Sequence, residues 1–160
     1  ENAFGSRLMT HGFLLNNELT DFSFKSHHDG VPIANRVEPG KRPRSSMAPT
    51  IVLKNDRPVL VIGSPGGSRI ISYVVKAIIA YLDWGMNIQQ AVSVPNAMNQ
   101  FGTYDLEVGT YLEGQKKPLE SLGYKVRTLP LTSGLHAIAL ESGNLSGGAD
   151  PRREGVALGR

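Results

Sequence analysis

The densest concentration of residue types suited to chemistry is the run Gly63-Ser64-Pro65-Gly66-Gly67-Ser68. Glycines let a backbone pass close to a ligand and turn successive N–H groups toward it. A helix that starts directly after such a turn adds amides without in-helix acceptors, and the positive end of the helix dipole. The chemistry on offer is the holding of negative charge: a phosphate, a carboxylate or a developing oxyanion. A plain chain reversal fits the same residues. Nucleotide motifs do not fit. There is no G-x-x-x-x-G-K-S/T, and the spacing of Gly63, Gly66 and Gly67 is not G-x-G-x-x-G.

Three other groups lie upstream. Glu18 and Asp21 are two acids on one short polar element, flanked by Leu19 and Phe22. A solvated surface is the plain reading, but the apolar flanks predict partial burial, and partly buried acids want a cation. Ser45 and Ser46 are adjacent hydroxyls directly before an apolar run. His27-His28-Asp29 has metal-ligand types, but adjacent histidines point apart in an extended chain and no third ligand has matching spacing. No metal site is expected there. Lys41-Arg42-Pro43-Arg44 looks like a basic address tag, yet reads better as a loop anchored by charge pairs. His136, alone in an apolar strand, reads as structural.

The elements around these residues follow from periodicity. Val59-Leu60-Val61-Ile62 predicts a buried strand ending at Gly63. Ile70, Ile71, Val74, Val75, Ile78, Ile79 and Leu82 recur at helical spacing and predict a helix from about Ser68 to Asp83. Ile51-Val52-Leu53 is a strand, and Asn55-Asp56 is a turn, so this strand and the next form an antiparallel hairpin. That geometry is expected to bring Ser45 and Ser46 to the same sheet edge as the glycine turn. Gly85 stops the long helix, and Asn87 caps a second one that runs to about Val94. Further on, 106–108, 124–129 and 136–140 are strand candidates, 118–122 a short helix and 144–148 a turn. Phe13-Leu14-Leu15 predicts a short buried strand, and 25–44 a long mobile loop. The tally is α+β, with an antiparallel sheet in layers.

Size and composition narrow the classes. One domain with a real core suits 160 residues, with 40% hydrophobic and 19% charged content. A net charge of +3 with no basic face argues against nucleic acid. With no cysteine, disulfides and thiolate catalysis are excluded, and export is compatible. No apolar run reaches the roughly 18–20 residues of a membrane span. The chain opens abruptly at Glu1, as if inside a structured region, with no signal peptide visible.

Four motifs in series, N-N-E-L-T-D-F, K-R-P-R-S-S-M-A-P-T-I-V, G-S-P-G-G-S-R and A-D-P-R, resemble the small subunit of γ-glutamyltranspeptidases. The resemblance covers nearly the whole chain in the family's order. It implies an N-terminal nucleophile hydrolase with a four-layer αββα fold of antiparallel sheets. Residues 1–160 would form a single domain that supplies part of it. A precursor that cuts itself would leave a threonine as both nucleophile and, through its α-amine, base. By the same resemblance, Gly66 and Gly67 supply oxyanion-hole amides, and Ser45 and Ser46 bind the donor's α-carboxylate. Glu18 and Asp21 hold its α-ammonium, and Glu1 contacts the same ammonium. The implied partner is a large subunit from the same precursor, with no cofactor and no metal, in a periplasmic or secreted protein. The nucleophilic threonine would lie upstream of Glu1, so this chain alone is expected to be inactive. The 25–44 loop is shorter than a full lid over the site and longer than in lidless relatives. The implied function is γ-glutamyl transfer and hydrolysis on glutathione-like amides. A glutaryl-cephalosporin acylase or a poly-γ-glutamate transpeptidase is the alternative on the same fold. A non-catalytic anion-binding module is the alternative of another class.

Overall fold

The computed structural model describes residues 8–159, so Glu1 lies outside the described residues. The chain divides into two compact units, Glu1–Ser46 and Met47–Arg160.

The first unit carries little regular structure. Strands β1 (Met9–Thr10) and β2 (Phe13–Leu14) pair antiparallel, and β3 (His27–His28) pairs with β4 (Val31–Pro32). The expected Phe13 strand is present, but it is not buried: Phe13 is 57% exposed and Leu14 48%. A two-residue strand in a lone hairpin has no second layer to cover it. Within 25–44, the β3–β4 hairpin turns through Asp29 and Gly30, both at positive φ. Arg36 and Lys41 then share the Glu38 carboxylate, Lys41 at 2.7 Å. The loop is thus anchored by charge pairs, as its basic run suggested. Asn35 adds a side-chain tie, donating to the Asp21 carbonyl at 2.7 Å and accepting from the Arg44 amide at 2.9 Å.

The second unit is built on a four-stranded antiparallel sheet in the order β11-β10-β6-β5. Its strands are β5 (Thr50–Lys54), β6 (Arg57–Gly63), β10 (His136–Glu141) and β11 (Asn144–Ala149). Asn55 and Asp56 both take positive φ, which the two-residue turn between β5 and β6 requires. Helices α1 (Ile70–Leu82) and α2 (Ile88–Ser93) cover one face of this sheet. Leu60 and Ile62 point into that core at 0% and 2% exposure, together with Val74, Ala77, Val92, Ala137 and Ala139. Burying side chains such as Leu60 and Ile62 contributes roughly 1.5–3 kcal/mol each. The 59–62 run is therefore buried on one face, not both. Val61 is 40% exposed on the other face, in register with Ile51 and Ile138. The long helix behaves likewise: Ile70, Tyr73, Val74, Ala77 and Ala80 are inward, while Ile71, Val75, Ile79 and Leu82 face out.

A second sheet, β7 (Ala97–Gln100), β8 (Thr103–Glu107) and β9 (Lys125–Leu129), completes the unit. The connection from β8 to β9 passes through α3 (Lys116–Ser121), and this pair is parallel. It departs from the hairpin connections found elsewhere, because a helix spans the crossover. The expected turn at 144–148 is instead strand β11. The reversal falls one step earlier, at Ser142 and Gly143, whose φ values are 48° and 86°. The arrangement is α+β: a helical layer on one face of an antiparallel sheet, the part of an αββα sandwich that one chain can supply.

Candidate functional site

The glycine turn lies where β6, whose Leu60 and Ile62 are buried in the core, ends at Gly63 and the chain must pass into α1. Gly66 takes φ 139° and Gly67 φ 58°. A side chain at Gly66 has no room, since a Cβ there would meet Tyr73 Cε2 at 2.7 Å. Gly67 opens a 3-10 turn, Gly67–Arg69, that runs directly into α1, with the Arg69 amide donating to the Gly66 carbonyl at 3.2 Å. The Gly67 amide thus stands at the open start of a continuous helical segment, where N–H groups lack in-helix acceptors and the dipole is positive. Amides so placed can take an anion or a developing oxyanion as partner.

The turn is gripped on both sides. Before the glycines, the Ser64 hydroxyl donates to the Pro65 carbonyl at 2.7 Å and accepts from the Gly134 amide at 3.2 Å. Gly134 must be glycine, because a Cβ would come 2.7 Å from Pro65 and 2.8 Å from Arg153 Cδ. After the glycines, Gln100 Nε2 donates to the Ser68 carbonyl at 3.0 Å and Arg69 Nη2 donates to Asp105 at 3.2 Å.

Behind Gly134 lies a buried polar network. Asp150, 1% exposed, accepts from Ser133 Oγ at 2.5 Å, the Leu135 amide at 3.1 Å and the Arg152 amide and Nη1 at 3.0 Å. Burial alone would push its carboxyl up; these donors outweigh it and hold the carboxyl below its ordinary range. Arg152 also pairs with Glu107 at 2.6 and 2.9 Å. Burial works against its charge, but the two carboxylates prevail and keep the guanidinium protonated. Glu107 accepts further from the Asn96 amide at 2.6 Å, and Asn96 Oδ1 accepts from Lys76 Nζ at 3.0 Å. Burial, and then the Arg152 charge, pull the Lys76 ammonium down to about 8.

Sequence reasoning singled out the turn but missed these supports. Ser64 and Gly134 are 70 positions apart, and nothing local marks such a pair. Asp150 and Arg152 carried a signal through the A-D-P-R motif, and Ser64 and Arg69 through G-S-P-G-G-S-R, but their other partners carried none. Gln100 and Asp105 sit on elements whose pairing could not be read locally.

The remaining predicted site residues belong to the Glu1–Ser46 unit. Glu18 and Asp21 occupy the first and last positions of a 3-10 turn, Glu18–Asp21, and are half-buried with Phe22, while Leu19 is 73% exposed. The Glu18 amide donates to Asn16 Oδ1 at 3.0 Å, and this local bond fixes the entry to the turn. Ser45 is exposed and Ser46 half-buried. Both precede the hairpin, because β5 opens at Thr50, opposite Ile62.

Comparison with known proteins places this geometry in context. The profile of the family described as gamma-glutamyltranspeptidase matches residues 1–160. The chain is 42% identical to the glutathione hydrolase proenzyme of Bacillus subtilis (strain 168), over 99% of its own length and 27% of that protein. It is 34% identical to the Acylase ACY 1 proenzyme of Pseudomonas sp. (strain SE83), over 91% of its length and 25% of that protein. It spans about a quarter of the length of such curated relatives. Among solved structures it superposes on a gamma-glutamyltranspeptidase from Pseudomonas nitroreducens complexed with L-DON, with a TM-score of 0.84 at 32% identity. That match covers 98% of this chain and 88% of the other.

Proposed function

The chain belongs to the γ-glutamyltranspeptidase family, and from that premise we propose that it is the small-subunit portion of an enzyme that transfers or hydrolyses γ-glutamyl groups. Its substrates are glutathione-like γ-glutamyl amides, and its partner is a large subunit cut from the same precursor. The protein acts in the periplasm or outside the cell. A threonine upstream of Glu1 forms the acyl-enzyme, with its own α-amine as base.

The observation that carries this reading is the turn itself. Two consecutive glycines at positive φ feed the open start of a helix, and a buried network holds them from behind. Acyl transfer puts negative charge on the former carbonyl oxygen, and amides fixed beforehand stabilise that charge without reorganising. Glu18 and Asp21 supply negative charge for the donor's α-ammonium, and Ser45 and Ser46 supply hydroxyl donors for its α-carboxylate. Glu1 joins the ammonium site. A free α-amine on the donor also separates this reading from that of a glutaryl acylase, whose donor has none.

The test is turnover of γ-glutamyl-p-nitroanilide by the full-length protein, with and without glycylglycine as acceptor. Release of p-nitroaniline, faster with the acceptor, is expected. Faster turnover of glutaryl-p-nitroanilide would instead favour the acylase reading. No turnover of either by correctly cleaved protein would leave the anion-binding module.

A further inference from the structure

We infer that Arg69 and Gln100 are positioning residues that brace the exit of the glycine turn against the β7–β8 hairpin and thereby fix the direction of the Gly67 amide. This rests on the oxyanion reading of the turn. The three residues of the 3-10 turn are Gly67, Ser68 and Arg69. Two of them are tied to the second sheet. Gln100, at the end of β7, donates from Nε2 to the Ser68 carbonyl at 3.0 Å and reaches the Ser68 hydroxyl at 3.3 Å. Arg69 donates from Nη2 to Asp105 Oδ2, in β8, at 3.2 Å.

The anchor is rigid. Asp105 is fully buried, and its other oxygen, Oδ1, accepts from Arg127 Nε at 2.9 Å and Nη2 at 2.7 Å. Arg127 comes from β9 and locks the carboxylate so that Oδ2 is presented to Arg69. Arg69 bears a cost to reach it: its Nε is buried with no hydrogen-bond partner among the described residues. A guanidinium needing only solvation would turn to water and leave no buried donor unpaired. The Gly67 amide shares its peptide plane with the Gly66 carbonyl, which accepts from the Arg69 amide at 3.2 Å. That peptide cannot rotate without losing this bond, and the ties from Gln100 to Ser68 and from Arg69 to Asp105 hold the bond's donor in place.

Reaction geometry is sensitive to this. A displacement of about 1 Å at a catalytic donor costs on the order of 10²-fold in rate. The experiment compares Arg69→Gln, Gln100→Ala and Asn87→Ala in the full-length, correctly cleaved enzyme, with γ-glutamyl-p-nitroanilide as donor. Thermal midpoints are recorded beside kcat and KM. Arg69→Gln is expected to lower kcat about 10- to 10²-fold while KM moves less than about threefold. Gln100→Ala should move kcat in the same direction by less, and Arg69→Lys should recover part of the loss. Asn87→Ala breaks the cap of α2 without touching the turn or its anchor; it should lower the midpoint and leave kcat within about twofold. Equal kcat losses in Arg69→Gln and Asn87→Ala would reduce the brace to general stability and overturn the inference. An unchanged kcat in Arg69→Gln would do the same. If Arg69→Gln fails to mature, Gln100→Ala and Arg69→Lys carry the comparison, and unchanged kcat in both overturns the inference. Gly67→Val, measured in parallel, separates the two levels. If it keeps normal kcat, the oxyanion reading itself fails. If it loses kcat while Arg69→Gln does not, only the brace fails.

Discussion

Gly66 lies against the ring of Tyr73: a Cβ built on Gly66 would sit 2.7 Å from Tyr73 Cε2 and 3.1 Å from Cδ2. Tyr73 is 2% exposed, on the inward face of α1. The glycine turn is thus shaped by the helix it leads into, one turn further along. Burial also pushes the Tyr73 phenol up, so the ring stays neutral where it supports the turn.

The turn gives the first prediction. Gly67→Val places a β-branched residue at φ 58°, where such residues are strained. In the complete, matured enzyme, kcat should fall about 10²- to 10³-fold, the range for loss of one oxyanion donor. The thermal midpoint should move far less in proportion. Steady-state kinetics on cleaved protein, beside a melting curve, decides between the two roles. A near-normal kcat returns the turn to a plain chain reversal.

Asp21 gives the second. If it holds the donor's α-ammonium, Asp21→Ala leaves a charge without its counter-ion, and KM for γ-glutamyl-p-nitroanilide should rise about 10²-fold or more. Measuring KM in the variant is sufficient, and an unchanged value removes Asp21 from the site.

The serines give the third. Charge-assisted hydrogen bonds contribute roughly 1.5–3 kcal/mol each. The double variant Ser45→Ala, Ser46→Ala should therefore lose discrimination between γ-glutamyl donors and analogues without the α-carboxylate. Relative kcat/KM for the two donors is the readout, and a preserved ratio would confine both serines to the fold.

Lys76 gives a pH dependence. Its ammonium faces the Val94 carbonyl, Asn96, Arg152, Asp150 and Glu107. Burial, reinforced by Arg152, brings it from an ordinary 10.5 to about 8. Between those values the unfolded chain binds more protons than the folded one, so stability should rise as pH rises through this window. Tyr81 acts in the opposite sense at higher pH. Burial and its hydrogen bond to Glu141 push it up to about 12, so its contribution is lost as pH rises from 10 through 12. Urea midpoints between pH 7.5 and 9.5 should climb in the natural protein and flatten in Lys76→Met. Equal slopes in both would show that Lys76 does not release its proton there.

Asn87 gives a local stability test. Its side chain accepts from the Gln90 amide at 2.9 Å, and Gln90 returns the bond to the Asn87 amide at 3.1 Å. Asn87→Ala breaks this reciprocal cap and should cost about 1 kcal/mol. For a chain of this size that lowers the thermal midpoint by about 2–4 °C. A melting curve without that shift would show that tertiary packing alone holds α2.

What the sequence determined by itself is whatever is set by neighbours along the chain. The Asn87 cap, the Gly85 stop, the Asn55-Asp56 turn, α1 and the strand before the glycines all rest on residues within one or two turns of each other. Family membership was legible for a related reason, because four short motifs in order carry it. Errors arose where the deciding partner is distant. The stretch 144–148 holds Ser146, Gly147 and Gly148 and looks like a turn, yet it is strand β11 because β10 pairs with it along its whole length. Gly148 is tolerated there because α2 passes so close that a Cβ would meet the Ile88 carbonyl at 2.9 Å. Strand β7 gave no periodic signal, since Met98 alone of its four residues is buried. The supports of the turn were hidden for the same reason. Ser64 with Gly134, Arg69 with Asp105 and Arg152 with Glu107 are separated by 36 to 70 positions. Buried polar groups must find partners somewhere, but only the tertiary fold decides which ones come within reach.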